Sequence, residues 1–181
     1  GGAVSSGVAT NEVEARIGNN ARVDANGNVK VNAEDDITAV LTSAGGGAGG
    51  SVGVGGSLAV ATLLGSTKAT IGDGAEVNAR GLGDATSVYS GESVSETLKK
   101  VDNPADNLNF AIKKTELAKG LSVTAYRRDK LITTAVSGAG GGSAGVAATV
   151  AANVIAGNTE ASIGRNTKIN ENNDTAGVDQ Q

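Results

Sequence analysis

One block is written three times along this chain, and that repetition limits the fold more than any other feature. It first reads Ala15-Arg16-Ile17-Gly18-Asn19-Asn20-Ala21-Arg22-Val23-Asp24-Ala25 and returns as Ala69-Thr70-Ile71-Gly72-Asp73-Gly74-Ala75-Glu76-Val77-Asn78-Ala79. A looser copy runs Ala161-Ser162-Ile163-Gly164-Arg165-Asn166-Thr167-Lys168-Ile169-Asn170. Copies one and two lie 54 residues apart without a gap, and copies two and three lie 92 apart. A unit that recurs in this way buries its apolar face on its neighbours, so the chain reads as part of a stacked array.

The likeness extends beyond the block. Moving Val29 through Gly74 by 92 positions lands on Leu121 through Asn166 without a gap, with Gly49-Gly50-Ser51 on Gly141-Gly142-Ser143. The offset is 54 up to Ala25/Ala79 and 92 from Val29/Leu121, a difference of 38 residues. About Leu82 to Gly120 therefore replaces the small turn Asn26-Gly27-Asn28. Gly1-Gly2 matches Gly55-Gly56 and no initiator Met is present, so a segment of a longer protein is expected.

Within the repeat the period is two. Glu12-Val13-Glu14-Ala15-Arg16-Ile17, Ala21-Arg22-Val23-Asp24-Ala25 and Asn28-Val29-Lys30-Val31-Asn32-Ala33 all alternate polar with apolar residues. Short alternating runs parted by Gly, Asn and Asp mark half-buried strands joined by tight turns. The interior must be filled by Val, Ala, Ile and Thr, because the chain has one Phe, two Tyr and no Trp or Met against 28 Gly. Such small residues suit closely spaced sheets. A 54-residue period divides into about three coils of about 18 residues, so an all-β parallel β-helix is expected. Residues 1–170 would form this repeat segment, interrupted at 82–120, with 171–181 a polar tail.

Two tracts without charge, Ala44 to Gly65 and Leu131 to Gly157, are long enough for a membrane span. Their Gly, Ser, Thr and Ala content makes insertion poor and an isolated helix unfavourable. They read as Gly-rich strands, and no integral membrane span is expected.

The insertion has a different pattern. Ser93-Val94-Ser95-Glu96 has the form of a capping box, followed by Leu98 and Val101 at helical spacing. After Asn103-Pro104, a second helix would carry Leu108, Ala111, Ile112 and Thr115 on one face, flanked by Phe110 and Leu117 and ended by Gly120. A helical hairpin is expected. Eight of the 15 basic residues fall between 99 and 130, interspersed with seven acids. Such a mixture describes a solvated face or, since insertions on a repeat scaffold often carry binding, a partner surface. The candidate partner-binding residues are Lys99, Lys100, Lys113, Lys114, Lys119, Arg127 and Arg128.

Catalytic chemistry has little to work with. Without His or Cys the common nucleophile–base pairs cannot be built. The acidic run Glu34-Asp35-Asp36, onto which the 92-residue shift places Tyr126-Arg127-Arg128, reads as solvated rather than as a glycosidase pair. Gly49-Gly50-Ser51-Val52-Gly53-Val54 lacks the Asp of a calcium-binding nonapeptide, and no Gly-rich loop sits between strand and helix. No enzyme activity, cofactor or metal is expected. A net charge of −4 offers no polybasic signature, so nucleic acid is not an expected partner.

The phrases Gly49-Gly50-Ser51-Val52-Gly53-Val54-Gly55-Gly56-Ser57-Leu58-Ala59-Val60 and Thr67-Lys68-Ala69-Thr70-Ile71-Gly72-Asp73-Gly74-Ala75 carry a resemblance. They look like repeats of filamentous-haemagglutinin-like and leukotoxin-family filamentous adhesins of Gram-negative bacteria, including autotransporter passengers. It covers Gly1–Ala79 and Leu121–Asn170 and leaves out the insertion. The resemblance implies a right-handed parallel β-helix, secreted or displayed at the outer membrane, in adhesion to a host or bacterial surface protein or glycan. The alternative is a segment of a secreted toxin or membrane-active protein that uses the uncharged tracts.

Overall fold

The computed structural model describes residues 1–98 and 108–171. Its strands are β1 (Gly2–Ile17), β2 (Arg22–Ala25), β3 (Val29–Gly49), β4 (Val52–Ile71), β5 (Glu76–Ala79), β6 (Thr86–Leu98), β7 (Leu108–Ala118), β8 (Leu121–Gly141), β9 (Ala144–Ile163) and β10 (Lys168–Ile169). They form four sheets, in the orders β1-β4-β9, β2-β5-β10, β3-β8 and β6-β7.

The repeat offsets are the pairing registers. Arg22 to Ala25 pair in parallel with Glu76 to Ala79, 54 residues on, and Lys168 pairs with Glu76 from 92 residues away. Gly56 N–H donates to Gly1 O and Gly72 N–H donates to Ile17 O, at one constant separation, so β4 also runs parallel to β1. Asn32 to Thr124 and Asp35 to Arg127 repeat a 92-residue step between β3 and β8.

Two expectations are corrected. The fold is all-β, but the sheets do not establish a parallel β-helix: partners lie 54 or 92 residues apart rather than about 18. The physical reason lies in the glycine tracts, which continue as straight strands of 20 and 21 residues in β4 and β3 instead of turning corners. The helical hairpin is likewise absent, since Thr86–Leu98 and Leu108–Ala118 form an antiparallel β-hairpin. Thr86, Val88, Tyr89, Thr97, Ile112 and Thr115 favour a pleated, half-buried surface, and sheet pairing overrides the local capping signal. Pro104 and Val101 lie outside the described residues, as does the tail beyond Glu171.

Contacts divide the chain into two compact units. The first comprises Gly1–Glu12, Asp36–Ser66 and Asp129–Gly157, and holds four charged residues, Glu12, Asp36, Asp129 and Lys130. Its facing backbones approach so closely that side chains are excluded. A Cβ on Gly47 would lie 2.7 Å from Gly1 N, and one on Gly53 would lie 2.6 Å from Gly140 C. Glycine is used here for close approach, at positions where alanine would force the sheets apart.

The second unit comprises Val13–Asp35, Thr67–Arg128 and Asn158–Gln181. Its core is Val31, Ala33, Ala69, Ile71, Ala75, Val77 and Ala125, with Val13, Ile17, Val23 and Val123 packed against it. Full burial of Ile71 or Val77 contributes roughly 1.5–3 kcal/mol each. The thrice-written block is explained by its turn. Asn20, Gly74 and Asn166 sit at φ 54°, 68° and 55°, a left-handed conformation open to Gly and tolerable for Asn. Asn19 Oδ1 accepts the Asp73 N–H at 3.1 Å, and Asp73 Oδ1 accepts the Arg165 N–H at 2.7 Å, so each turn caps the next.

Candidate functional site

The β6–β7 hairpin grows from the second unit at one place. The turn Asn26-Gly27-Asn28, between β2 and β3, receives both of its roots. Gly81 N–H donates to Gly27 O at 3.0 Å and Leu82 N–H to Asn26 O at 2.9 Å. On the return, Gly120 N–H donates to Asn28 Oδ1 at 2.8 Å, and Val29 N–H donates to Gly120 O at 2.9 Å. Asn28 Nδ2 also donates to Asp84 O at 2.9 Å, and Lys30 Nζ to Ser87 O at 2.7 Å. Gly81, Gly83 and Gly120 take φ of 65°, 115° and 84°, which lets the chain leave and rejoin the parallel sheets.

Above the roots one part of the hairpin is packed and another is open. Val88 is buried, and the Tyr89 ring meets the Tyr126 ring edge-on with centroids 5.1 Å apart. Lys113 Nζ lies 5.8 Å from the Tyr126 centroid and pairs with the Glu34 carboxylate. Beneath them Arg127 Nη1 meets Asp35 Oδ2 at 2.9 Å, with both side chains buried. A register shift between Tyr89 and Ser93, with Gly91 at φ 84°, marks a bulge. Beyond it Lys114 pairs with Glu92 at 2.7 Å on the exposed side. Glu92 holds the Lys114 ammonium above the usual lysine range by hydrogen bond and charge, and its own carboxyl is held below the usual range by Lys114.

The seven candidate residues thus do not form one basic patch. Lys99 and Lys100 lie outside the described residues. Lys113 and Arg127 serve the packing between hairpin and parallel sheet, and Arg128 is half-buried. Lys114 and Lys119 are exposed. Beside them stand apolar side chains that a helical reading had turned inward: Leu117 is 74 % exposed and Ile112 40 %. Alternation along Leu108–Ala118, rather than charge, was the pattern that would have found them. Tyr89 and Tyr126, the only two tyrosines, were passed over although large rings dominate packing wherever they occur.

Among the described residues no group of three or more His, Cys, Asp or Glu is placed to hold a metal ion. None of their helices is long and apolar enough to cross a membrane. Comparison with known protein families, with curated proteins and with solved structures finds no match to this chain.

Proposed function

We propose that this chain is a segment of a large bacterial adhesin, secreted or displayed at the outer membrane. Its parallel sheets are scaffold, and the β6–β7 hairpin is the element that meets a protein or glycan on a host or bacterial cell. The observation that carries this reading is the insertion itself. A hairpin rooted by hydrogen bonds on one three-residue turn leaves the repeat register intact on either side, and it exposes Lys114, Leu117 and Lys119. Extra sequence placed at a single turn of a repetitive scaffold is a common way to display a binding surface. The resemblance of the repeats to filamentous adhesins supports the setting. Catalysis, cofactors and nucleic acid have no part in it.

The test compares the chain with a variant in which Leu82–Gly120 is replaced by Asn-Gly-Asn, in binding to host cells, matrix proteins and a glycan array. Loss of binding with the β spectrum retained supports the hairpin as the contact; equal binding overturns it. A second reading, membrane activity, is favoured by the valines that the nearly uncharged first unit exposes, among them Val52 and Val54. Release of dye from neutral liposomes would select it over adhesion.

A further inference from the structure

The first unit ends in strand edges that fit one another. In the sheet order β1-β4-β9, β4 is flanked on both sides while β1 and β9 each keep one open edge. The consequence shows in exposure: Leu63 of β4 is 0 % exposed, whereas Ile155, its counterpart 92 residues on in β9, is 51 % exposed. Val150 and Val154 of β9 are 56 % and 50 % exposed, and Val4 and Val8 of β1 are 74 % and 72 % exposed.

Backbone polarity decides what can pair with what, because alternate residues of a strand turn their N–H and C=O to opposite edges. In β4 the even-numbered groups face β1: Gly56 N–H donates to Gly1 O at 3.0 Å, and Val54 O accepts from the Gly1 amino group at 2.7 Å. The gapless 92-residue offset carries this parity into β9, as Gly142 N–H donating to Gly50 O shows. Odd-numbered groups of β9 therefore face its open edge. In β1 the odd-numbered groups face β4, which leaves the even-numbered ones open. An even row meeting an odd row is the relation β4 already has to β1.

We propose that the open edge of β9 binds the open edge of β1 from a second copy of this chain, in parallel and head to tail. Extending the 54- and 92-residue registers sets Val4 of one copy beside Val150 of the other, and Val8 beside Val154. Both pairs are exposed in the single chain, and between Ala144 and Gly157 there is no charge to oppose the approach. The pairing is confined to the strand. At the following turn Arg165 stands where Asn19 and Asp73 supply a capping oxygen. Because the two edges differ, the contact is heterologous and does not close on itself, so copies add in an open series.

The absence of cysteine makes the register directly testable. Adjacent strands lie about 4.8 Å apart, within disulfide reach. A Val8→Cys chain mixed with a Val154→Cys chain should oxidise to a heterodimer, and a Val8→Cys chain mixed with Val146→Cys should not. In sedimentation velocity the unaltered chain should gain mass with concentration beyond a dimer. Val8→Lys alone and Val154→Lys alone should remain monomeric, while their mixture should give dimers and nothing larger. Both lysines replace outward side chains, and circular dichroism checks that the variants fold. A monomeric unaltered chain overturns the proposal. So does equal cross-linking at position 146, a mixture that stays monomeric, or a monomer that floats with neutral vesicles instead of assembling.

Discussion

Arg127 Nη1 donates to Asp35 Oδ2 at 2.9 Å across 92 residues of sequence, and each side chain is only 4 % exposed. A charge removed from water is tolerated because the opposite charge is beside it, so removing one partner strands the other. Asp35→Ala should cost about 3–5 kcal/mol in urea unfolding. Glu14→Ala, whose partner Arg16 is 64 % exposed at 3.8 Å, should cost no more than about 1 kcal/mol. Replacing both Asp35 and Arg127 by Leu should restore much of the loss. A double variant as unstable as Asp35→Ala would show that the pair is not the source.

That ion pair also shows what the sequence could disclose. The gapless offset of 92 placed Tyr126-Arg127-Arg128 over Glu34-Asp35-Asp36, and the two runs do meet. What it could not disclose was depth, and the acidic run expected in solvent includes a buried Asp35. Register is a property of the repeat and can be read by alignment. Burial depends on which face is covered, here by Val88 and Tyr89 of the hairpin. The hairpin was misread for a related reason. A capping box and a 3.6-residue spacing are local signals, while the pairing of Thr86 with Ala118 and Tyr89 with Thr115 is decided by roots that the parallel sheets hold together. In the same way the Gly tracts looked like corners, because the facing backbone that requires glycine is far away in sequence.

The Ile-Gly pair of the repeated block carries different constraints in its different copies. A Cβ on Gly72 would lie 2.6 Å from Asn19 N, and one on Gly164 would lie 2.6 Å from Asp73 N, whereas Gly18 has nothing within 4 Å. Gly72→Ala and Gly164→Ala should each destabilise by about 1–3 kcal/mol through overpacking. Gly18→Ala should leave the melting temperature nearly unchanged. Equal losses at all three positions would assign the glycines to turn conformation instead of close approach.

Thr67 is fully buried, and its Oγ1 has no hydrogen-bond partner. A buried hydroxyl left unsatisfied costs about 1–3 kcal/mol, and an apolar replacement of the same shape removes that cost. Thr67→Val should raise the denaturation midpoint, with the slope unchanged. Thr67→Ser, which keeps the hydroxyl and loses a methyl, should lower it. A fall in the midpoint for the valine variant would mean that the hydroxyl finds a partner after all.

The outer pair of the hairpin gives a pH dependence with a definite sign. Glu92 is held below its ordinary range by Lys114, so its contribution is complete above the ordinary glutamate value and is lost as pH falls through the lowered one. Lys114 is raised by Glu92, so its contribution is complete below the ordinary lysine value and is lost as pH rises through the raised one. The difference in stability between the chain and Lys114→Ala should therefore be level through neutrality and close at both extremes. Both side chains are in solvent, so the difference should also shrink in high salt. A difference that persists at acid pH would come from the lysine's aliphatic stem rather than its charge.

Excising the hairpin should leave a folded protein. With Asn-Gly-Asn in place of Leu82–Gly120, the last Asn N–H falls where Gly120 N–H now donates to Asn28 Oδ1, and the register of β2 with β5 and of β3 with β8 needs no change. The cost is local. Tyr126, now 7 % exposed, loses Tyr89 and Lys113, and Glu34 loses its lysine. Uncovering one large side chain corresponds to roughly 1.5–3 kcal/mol, so the melting temperature should fall while the β spectrum stays. Tyr126→Thr, which removes most of the uncovered ring, should recover part of that fall in the excised chain and destabilise the full one. If the excised chain is unfolded, the hairpin belongs to the core rather than to the surface the scaffold presents.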